Sequence, residues 1–151
     1  MVTSERTIAE FLEKAAQIVE DCIIEEFIEW AKKDDVYLRS NKGFNDQTGN
    51  LRSSLGAVVA RDGRILFSTP FETVLSGSRG SSEGRRMAQE LANEMQGTIA
   101  KIMLAGMDYA QYIEDIDTKD VLESRRIQCE QEAKGVMDRA MHKAERKIAL
   151  L

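Results

Sequence analysis

Residues 47–56, QTGNLRSSLG, set the point at which the chain turns from helix to sheet. Thr48 is placed as an N-cap, because its hydroxyl can accept a hydrogen bond from the start of a helical turn. Leu51 and Leu55 are four residues apart and therefore face one side of that turn, while Arg52 projects outward. The stretch contains no acid, histidine or cysteine. We therefore interpret it as a structural corner rather than as a reactive site.

A long amphipathic helix is predicted before this corner, over residues 4–33. Its apolar residues recur every three or four positions, which is the spacing of one helix face. They are Ile8, Phe11, Leu12, Ala15, Val19, Cys22, Ile23, Phe27 and Trp30. Residues 34–47, DDVYLRSNKGFNDQ, are polar and have no period, so we expect a flexible loop there.

A β-hairpin is predicted after the corner, over about residues 55–69. Asp62-Gly63 separates two strand-like runs. This pair favours a type I′ turn, because both of its residues must take positive φ. Arg61 and Arg64 would then face each other at the hairpin tip.

The rest of the chain adds a third strand, two helices and a second loop. The strand is predicted at about 98–105, where the sequence is short and apolar. The helices are predicted at about 82–96 and 122–149 from their apolar stripes. The Gly- and Ser-rich sequence at 70–81 is predicted to be flexible, and residues 76–84 are interpreted as a loop because they lack the Lys-Ser/Thr ending of a phosphate loop.

Length and composition fit one α+β domain spanning residues 1–151. A chain of 151 residues has the usual size of a single domain. Its 42% hydrophobic and 31% charged residues are ordinary for a globular protein. We predict a small, mainly antiparallel sheet, made of the hairpin and the third strand, packed with long N-terminal and C-terminal helices.

No group of residues has the spacing of a catalytic or metal site, and we expect neither enzymatic activity nor a cofactor. His142 is the only histidine and lies among charged residues. Cys22 and Cys129 fall on apolar helix faces, which is typical of buried free thiols in a reducing compartment. The acids between Glu114 and Asp120 lack the central Gly of a calcium loop. A small hydrolase would need a positioned base, and none is evident.

A second corner is predicted at GMDYAQYIE, residues 106–114, where the third strand ends at Gly106. Asp108 is placed as the N-cap of a short helix. The spacing of three residues then puts Tyr109 and Tyr112 on one side of that helix.

These two corners, in this order, resemble the head–tail joining, or tail-completion, neck proteins of long-tailed bacteriophages. That family carries a T-G-x-L-R-x-S corner after a long N-terminal helix and a Y-A-x-Y-V-E motif after a strand. The matching residues here are Thr48, Gly49, Leu51, Arg52 and Ser54, then Tyr109, Ala110, Tyr112, Ile113 and Glu114.

The resemblance implies a structural protein of the virion, without enzymatic activity, at the junction of the capsid portal and the tail. It also implies a homo-oligomeric ring in the assembled particle, with other neck, portal or tail proteins as partners. The chain would be found in the virion, and in the bacterial cytoplasm during assembly. The alternative is a bacterial cytoplasmic α+β interaction domain with no phage role.

Charge bears on the expected partners. The formal net charge of −5 argues against extensive contact with nucleic-acid phosphates. Five arginines in and after the hairpin are the exception, and we expect them to contact a protein neighbour. They are Arg61, Arg64, Arg79, Arg85 and Arg86. No aromatic residue accompanies them as a platform for stacking bases, and no run of about 18 apolar residues suggests contact with a membrane.

Overall fold

The computed structural model describes residues 2–40, 46, 48–108, 110 and 120–151. Over these residues the chain forms four helices and three strands. The helices are α1 (Val2–Ser40), α2 (Asn50–Ser53), α3 (Ser78–Asn93) and α4 (Glu123–Ile148). The strands are β1 (Leu55–Arg61), β2 (Arg64–Ser68) and β3 (Ile99–Ala105). The predicted α+β class, with long terminal helices and a small antiparallel sheet, is confirmed.

The three strands form one antiparallel sheet in the order β2-β1-β3. The hairpin turn is the predicted type I′ turn, because Asp62 and Gly63 have φ values of 51° and 83°. Arg61 and Arg64 pair across it, as expected. β1 is the central strand, and its first six residues are buried.

The sheet lies between two helical layers. On one face, Ala57 and Val59 of β1 pack against Ala31 of α1. On the other face, Val58 packs with Ala88 of α3. This division follows from the strand period of two, which points neighbouring side chains to opposite faces.

α4 lies against α1 and runs antiparallel to it. Arg125, near the start of α4, contacts Asp34 of α1. Lys147, near the end of α4, contacts Glu25, which is more than two turns earlier in α1. The two long helices therefore form one layer of the fold.

The loop predicted at 34–47 is wrong over its first seven residues, because α1 continues to Ser40. Ala31, Asp34 and Leu38 lie on one helix face and are at most 1% exposed. Because Asp34 is charged and lies in the middle of this buried face, a prediction based on composition does not recognise the helical period. Most later residues of the range lie outside the described part of the chain.

The loop predicted at 76–84 is mostly the start of α3, which begins at Ser78. Its small residues are buried at positions 77, 80, 81 and 84, a spacing of three and four that defines one helix face. A Cβ atom added to Gly80 would lie 1.9 Å from the carbonyl oxygen of Asn50. The small residues therefore let two backbones approach closely, and their abundance does not produce a loop.

The segment between β2 and α3 is held by Phe71, whose side chain is fully buried. Its ring fits against Gly56 of β1 and Gly84 of α3, where added Cβ atoms would lie 2.5 and 2.6 Å from ring carbons. The φ of Phe71 is 47°, a costly value for a bulky residue, and burial of the ring offsets that cost. The flexible stretch predicted at 70–81 is therefore wrong here as well.

Replacing Gly80 with alanine should destabilise the fold by about 1–3 kcal/mol, the range for overpacking a close contact. At an open helix position the same change stabilises by up to about 1 kcal/mol. Gly135 is the matched control, because it lies inside α4 and an added Cβ would meet only a side-chain nitrogen of Arg139 at 3.5 Å. We expect Gly135→Ala to stabilise. Urea unfolding measures both effects, and a Gly80→Ala protein as stable as the wild type would contradict the close contact.

Candidate functional site

The first corner, residues 48–55, joins α1 to the sheet. Leu51 is fully buried and Leu55 is 4% exposed. Both pack against Leu38 of α1 in one apolar cluster, which is the arrangement that their spacing predicts. Arg52 is half-buried.

The capping of this corner differs from the prediction. Thr48 accepts a hydrogen bond from the N–H of Asn50 at 3.2 Å, but the N-cap position of α2 is Gly49, with φ of 78°. The carboxylate of Asp46 accepts from the N–H of Arg52 at 2.8 Å. An acid two residues before Thr48 therefore supplies the side-chain cap that we expected from the threonine.

The structure brings the second corner against the first. The N–H of Gly106 donates to the carbonyl of Ser54 at 3.1 Å. Met107 and Ala110 belong to the same apolar cluster as Leu51. The other residues of the second motif lie outside the described part of the chain: Tyr109, Tyr112, Ile113 and Glu114.

The polar side chains of the first corner bind the protein's own backbone. The Oδ1 atom of Asn50 accepts from the N–H of Gly80, in the first turn of α3, at 3.1 Å. The Oγ atom of Ser53 accepts from the N–H of Val74 at 2.8 Å. These bonds satisfy backbone donors of the neighbouring segments, so the corner acts as a joint between α1, the sheet and α3.

The hairpin tip carries two of the predicted contact residues, Arg61 and Arg64. Arg61 is ion-paired with Glu20 of α1 at 2.7 Å, beside a cleft of about 500 Å³ between α1, the start of β3 and α4. The turn is held by the segment after α3, because the N–H of Gly63 donates to the carbonyl of Met95 at 3.0 Å. Arg64 is exposed. The tip is therefore packed on the body and presents Arg64 to the surface.

The other three predicted contact residues lie on α3. Arg86 is ion-paired with two glutamates of its own helix, Arg85 donates to the carbonyl of Pro70 at 3.2 Å, and Arg79 is exposed in the first turn. Because a helix rises about 1.5 Å per residue, Arg79 is roughly 20 Å from the end of α3 that adjoins the hairpin. The five arginines therefore do not form a single patch.

A charge cluster, made of Asp34, Lys101, Arg125 and Glu132, joins α1, β3 and α4. The side chains of the first three are at most 7% exposed, whereas that of Glu132 is 38% exposed. Asp34 is fully buried. Its carboxylate accepts from Lys101 Nζ at 2.5 Å and from Arg125 Nε at 2.8 Å. Arg125 also donates to Glu132 from both Nη atoms, at 2.9 and 3.1 Å. The two carboxylates balance the two cations, which is the condition for burying them at tolerable cost.

Aromatic side chains enclose this cluster. The indole N–H of Trp30 donates to Glu132 at 2.8 Å, and Lys101 Nζ lies 4.1 Å from the centroid of the Trp30 ring, within cation–π range. Arg125 lies 5.9 Å from the centroid of the Tyr37 ring. Burial raises the pKa of Glu132, but the hydrogen bonds from Arg125 and Trp30 outweigh this effect, and the net pKa is lowered.

Cys129 borders the cluster, and its Sγ lies 3.3 Å from both Asp34 Oδ1 and Lys101 Nζ. Burial, and then the Asp34 carboxylate, raise the pKa of the Cys129 thiol, so the thiol stays protonated at neutral pH and is a poor nucleophile. His142 is exposed. Across the residues that the structure describes, no group of three or more His, Cys, Asp or Glu side chains could hold a metal ion. The ion pairs of Asp34 join α1 to β3 and to α4.

The cluster was not predicted, although a signal for it exists in the sequence. Asp34 is 67 residues from Lys101 and 91 from Arg125, so no local pattern connects them. Each of the three nevertheless stands at an apolar position of its element: Lys101, for example, lies on the same face of β3 as Ile99 and Met103. Opposite charges on the apolar faces of separate elements indicate a buried ion pair.

A second set of ion pairs joins α1 to α4 nearer the end of α4. Glu26 of α1 is 7% exposed and is paired with Lys143 at 2.7 Å and Arg139 at 3.2 Å. Burial raises the pKa of Glu26, but the hydrogen bonds from Lys143 and Arg139 outweigh it and the net pKa is lowered. Glu26 is therefore ionised in the folded protein at neutral pH.

Comparisons with known proteins found no match to this chain among protein-family models, curated proteins or solved structures. In the described part of the chain, none of the helices has the length and apolar character needed to cross a membrane. A functional assignment therefore depends on the residues and their geometry.

Asp34→Asn should destabilise the fold by about 3–5 kcal/mol, because it removes the buried carboxylate that Lys101 and Arg125 share and leaves Arg125 with Glu132 alone. Asp35→Asn is the matched control. Asp35 pairs with Arg39 in a partly exposed bridge, whose loss should cost at most about 1 kcal/mol. Urea unfolding at pH 7 measures both. If the two variants lost equal stability, the cluster would not be what holds the helices on the sheet.

Glu26 should make stability depend on pH. Because its pKa is lower in the folded than in the unfolded chain, its ionised form stabilises the fold above the ordinary Glu pKa, and this contribution is lost as the pH falls through the folded pKa. We expect Glu26→Gln to be about 1.5–3 kcal/mol less stable than the wild type at pH 7. The difference should shrink below about pH 4. Urea unfolding at pH 7 and pH 3 tests this, and an unchanged difference would contradict it.

Proposed function

We propose that the chain is a non-enzymatic structural protein of a long-tailed bacteriophage or prophage, which joins head to tail as a neck or tail-completion protein. The observation that carries the proposal is the contact between the two motif corners, in which the N–H of Gly106 donates to the carbonyl of Ser54. The described part of the second corner therefore lies beside the first corner, as expected if both corners shape the same region of a neck protein.

The chemistry of the corners is consistent with this role. Asn50 and Ser53 hold the segments beside them, and Leu51 joins the core of the fold. We infer that the motif residues specify the shape of the protein, and that contact with neck, portal or tail proteins falls to other surfaces. In the assembled particle the copies would form a homo-oligomeric ring.

Exposed arginines are the proposed contacts with a protein neighbour. Arg64 and Arg79 are exposed, whereas Arg61 and Arg86 are engaged in ion pairs within the chain. Separated cations on a chain of net charge −5 can meet acidic protein groups, but they do not line up as the clustered phosphate contacts of strong nucleic-acid binding require.

Deleting the gene from the phage or prophage that encodes it should leave filled heads and free tails, because the junction between them is incomplete. Electron microscopy of the lysate measures the fraction of joined particles. Purified wild-type protein added to the lysate should restore joining. Tailed particles in normal numbers after the deletion would contradict the proposal and favour the alternative, a cytoplasmic interaction domain.

The same lysate tests the arginines separately. Arg64→Glu/Arg79→Glu protein should fold but restore fewer joined particles. Lys134→Glu, at a position on α4 that is 88% exposed, is the charge-reversal control and should restore joining. Full restoration by the arginine variant would move the partner contact elsewhere and leave the neck function standing.

A further inference from the structure

β3 is an edge strand, and half of its backbone groups point away from the sheet. The N–H of Gly106 donates to Ser54 and the N–H of Asp62 donates to the carbonyl of Thr98. Because hydrogen-bonded pairs alternate along an antiparallel ladder, these two bonds show that the even-numbered residues of β3 bind β1. The odd-numbered residues direct their N–H and C=O groups outward, along what we call the free edge. They are Ile99, Lys101, Met103 and Ala105.

The free edge has almost no hydrogen-bond partners among the described residues. A single contact reaches it, from the Oγ1 atom of Thr98 to the carbonyl of Ile99 at 3.4 Å. Residues 99–103 are all partly exposed, although α1 and α4 contact Lys101 on one face of β3 and α3 packs near Ile102 on the other. An exposure that does not alternate along a strand covered on both faces indicates that the strand is open at its edge.

The other edge of the sheet is less suited to pairing. β2 has five residues, and its register with β1 shifts beside Val59 and Ala60, so that Leu66 is left without a partner. A short strand with a bulge is a common protection against pairing with another chain. β3 has seven residues in unbroken register with β1.

The cleft beside the hairpin tip adjoins the free edge. Its volume is about 500 Å³, and its apolar lining comes from Ile99 of β3, Ile23 and Phe27 of α1, and Met137 of α4. Residues that pair across two strands place their side chains next to each other on the same face. A residue that paired with Ile99 would therefore place its side chain at the cleft.

We infer that the free edge binds an extended segment of another protein by strand addition, with an apolar side chain of that segment in the cleft. Alternating backbone donors and acceptors are matched by another extended backbone, and a pocket beside such an edge selects the side chain. This interaction goes beyond the proposed neck function.

A single segment fits the edge better than a second copy of the chain does. α4 lies over β3, because Lys101 contacts both Asp34 of α1 and Cys129 of α4. Two copies paired through β3 about a two-fold axis would place their α4 helices over neighbouring strands, about 4.8 Å apart. Packed helices need about 8–10 Å. An extended segment brings no helix with it.

A synthetic peptide with the sequence of β1, LGAVVAR, in which leucine replaces the final arginine, tests the pairing. β1 already pairs with β3 in an antiparallel register that sets Arg61 opposite Ile99. At the free edge the same register places the new leucine at the cleft. The titration uses the isotope-labelled whole chain, with NMR detection and peptide concentrations up to about 5 mM, because a short peptide held mainly by backbone bonds binds weakly.

The amides of Lys101 and Met103 should exchange quickly in the free protein and slowly with the peptide bound. N-methylation of the third and fifth peptide residues removes donors that face β3, and should weaken binding at least about tenfold. N-methylation of the fourth and sixth residues is the matched control, since these donors face away from β3 and binding should persist. Serine in place of the final leucine should weaken binding several-fold.

Four results would overturn the inference. They are slow exchange of the outward amides in the free protein, no binding of the leucine peptide, equal binding by the two methylated peptides, and a free protein that dimerises with its outward amides protected. The last would show that a second copy occupies the edge. Equal binding of the leucine and serine peptides would contradict the role of the cleft. None of these results bears on whether the gene is needed to join heads and tails.

Discussion

Where the first corner meets the start of α3, the two backbones touch directly, with no side chain between them. The packing of α3 on the sheet depends on this contact. The carbonyl oxygen of Asn50 occupies the space that a Cβ atom on Gly80 would need. One turn later, Gly84 lies against Gly106, just after β3, where a Cβ atom added to Gly106 would lie 2.5 Å from the Cα of Gly84. These approaches fix how near α3 lies to the sheet, and they leave room between the layers for the ring of Phe71. Larger residues at either glycine would separate the layers.

On the opposite face of the sheet, buried ion pairs rather than small residues fix the positions of the helices. Asp34 binds one cation from β3 and another from α4, so both elements are positioned by a single buried carboxylate of α1. Two apolar helix faces bury a similar area in several alternative registers. A register that leaves a buried charge unpaired is much less stable, so the ion pairs select one register. Glu26 of α1 pairs in the same way with Arg139 and Lys143, nearer the end of α4. The two helical layers are thus held on the sheet by different physical means.

Sequence patterns predicted the elements whose signals are contiguous. The Asp62-Gly63 turn, the strand at 98–105 and the C-terminal helix each follow from turn residues or an apolar period, and the structure has them. The start of α3 was missed because its Gly and Ser residues were judged by composition and not by their helical spacing. The candidate site was predicted in part: the corners and their inward leucines were identified, but the pairing of Asp34 depends on residues too distant in sequence for any local pattern to connect.

Native-state hydrogen exchange tests most directly whether the first corner is a rigid joint of the fold. The informative amides are those of Gly80, Val74 and Gly106, which donate to Asn50, Ser53 and Ser54. If the joint holds the fold together, these amides exchange only through global unfolding, with the same free energy as the amides of the central strand β1. Exchange of the Gly80 and Val74 amides at a much lower free energy, while β1 stays protected, would show that the corner opens independently and would contradict this account.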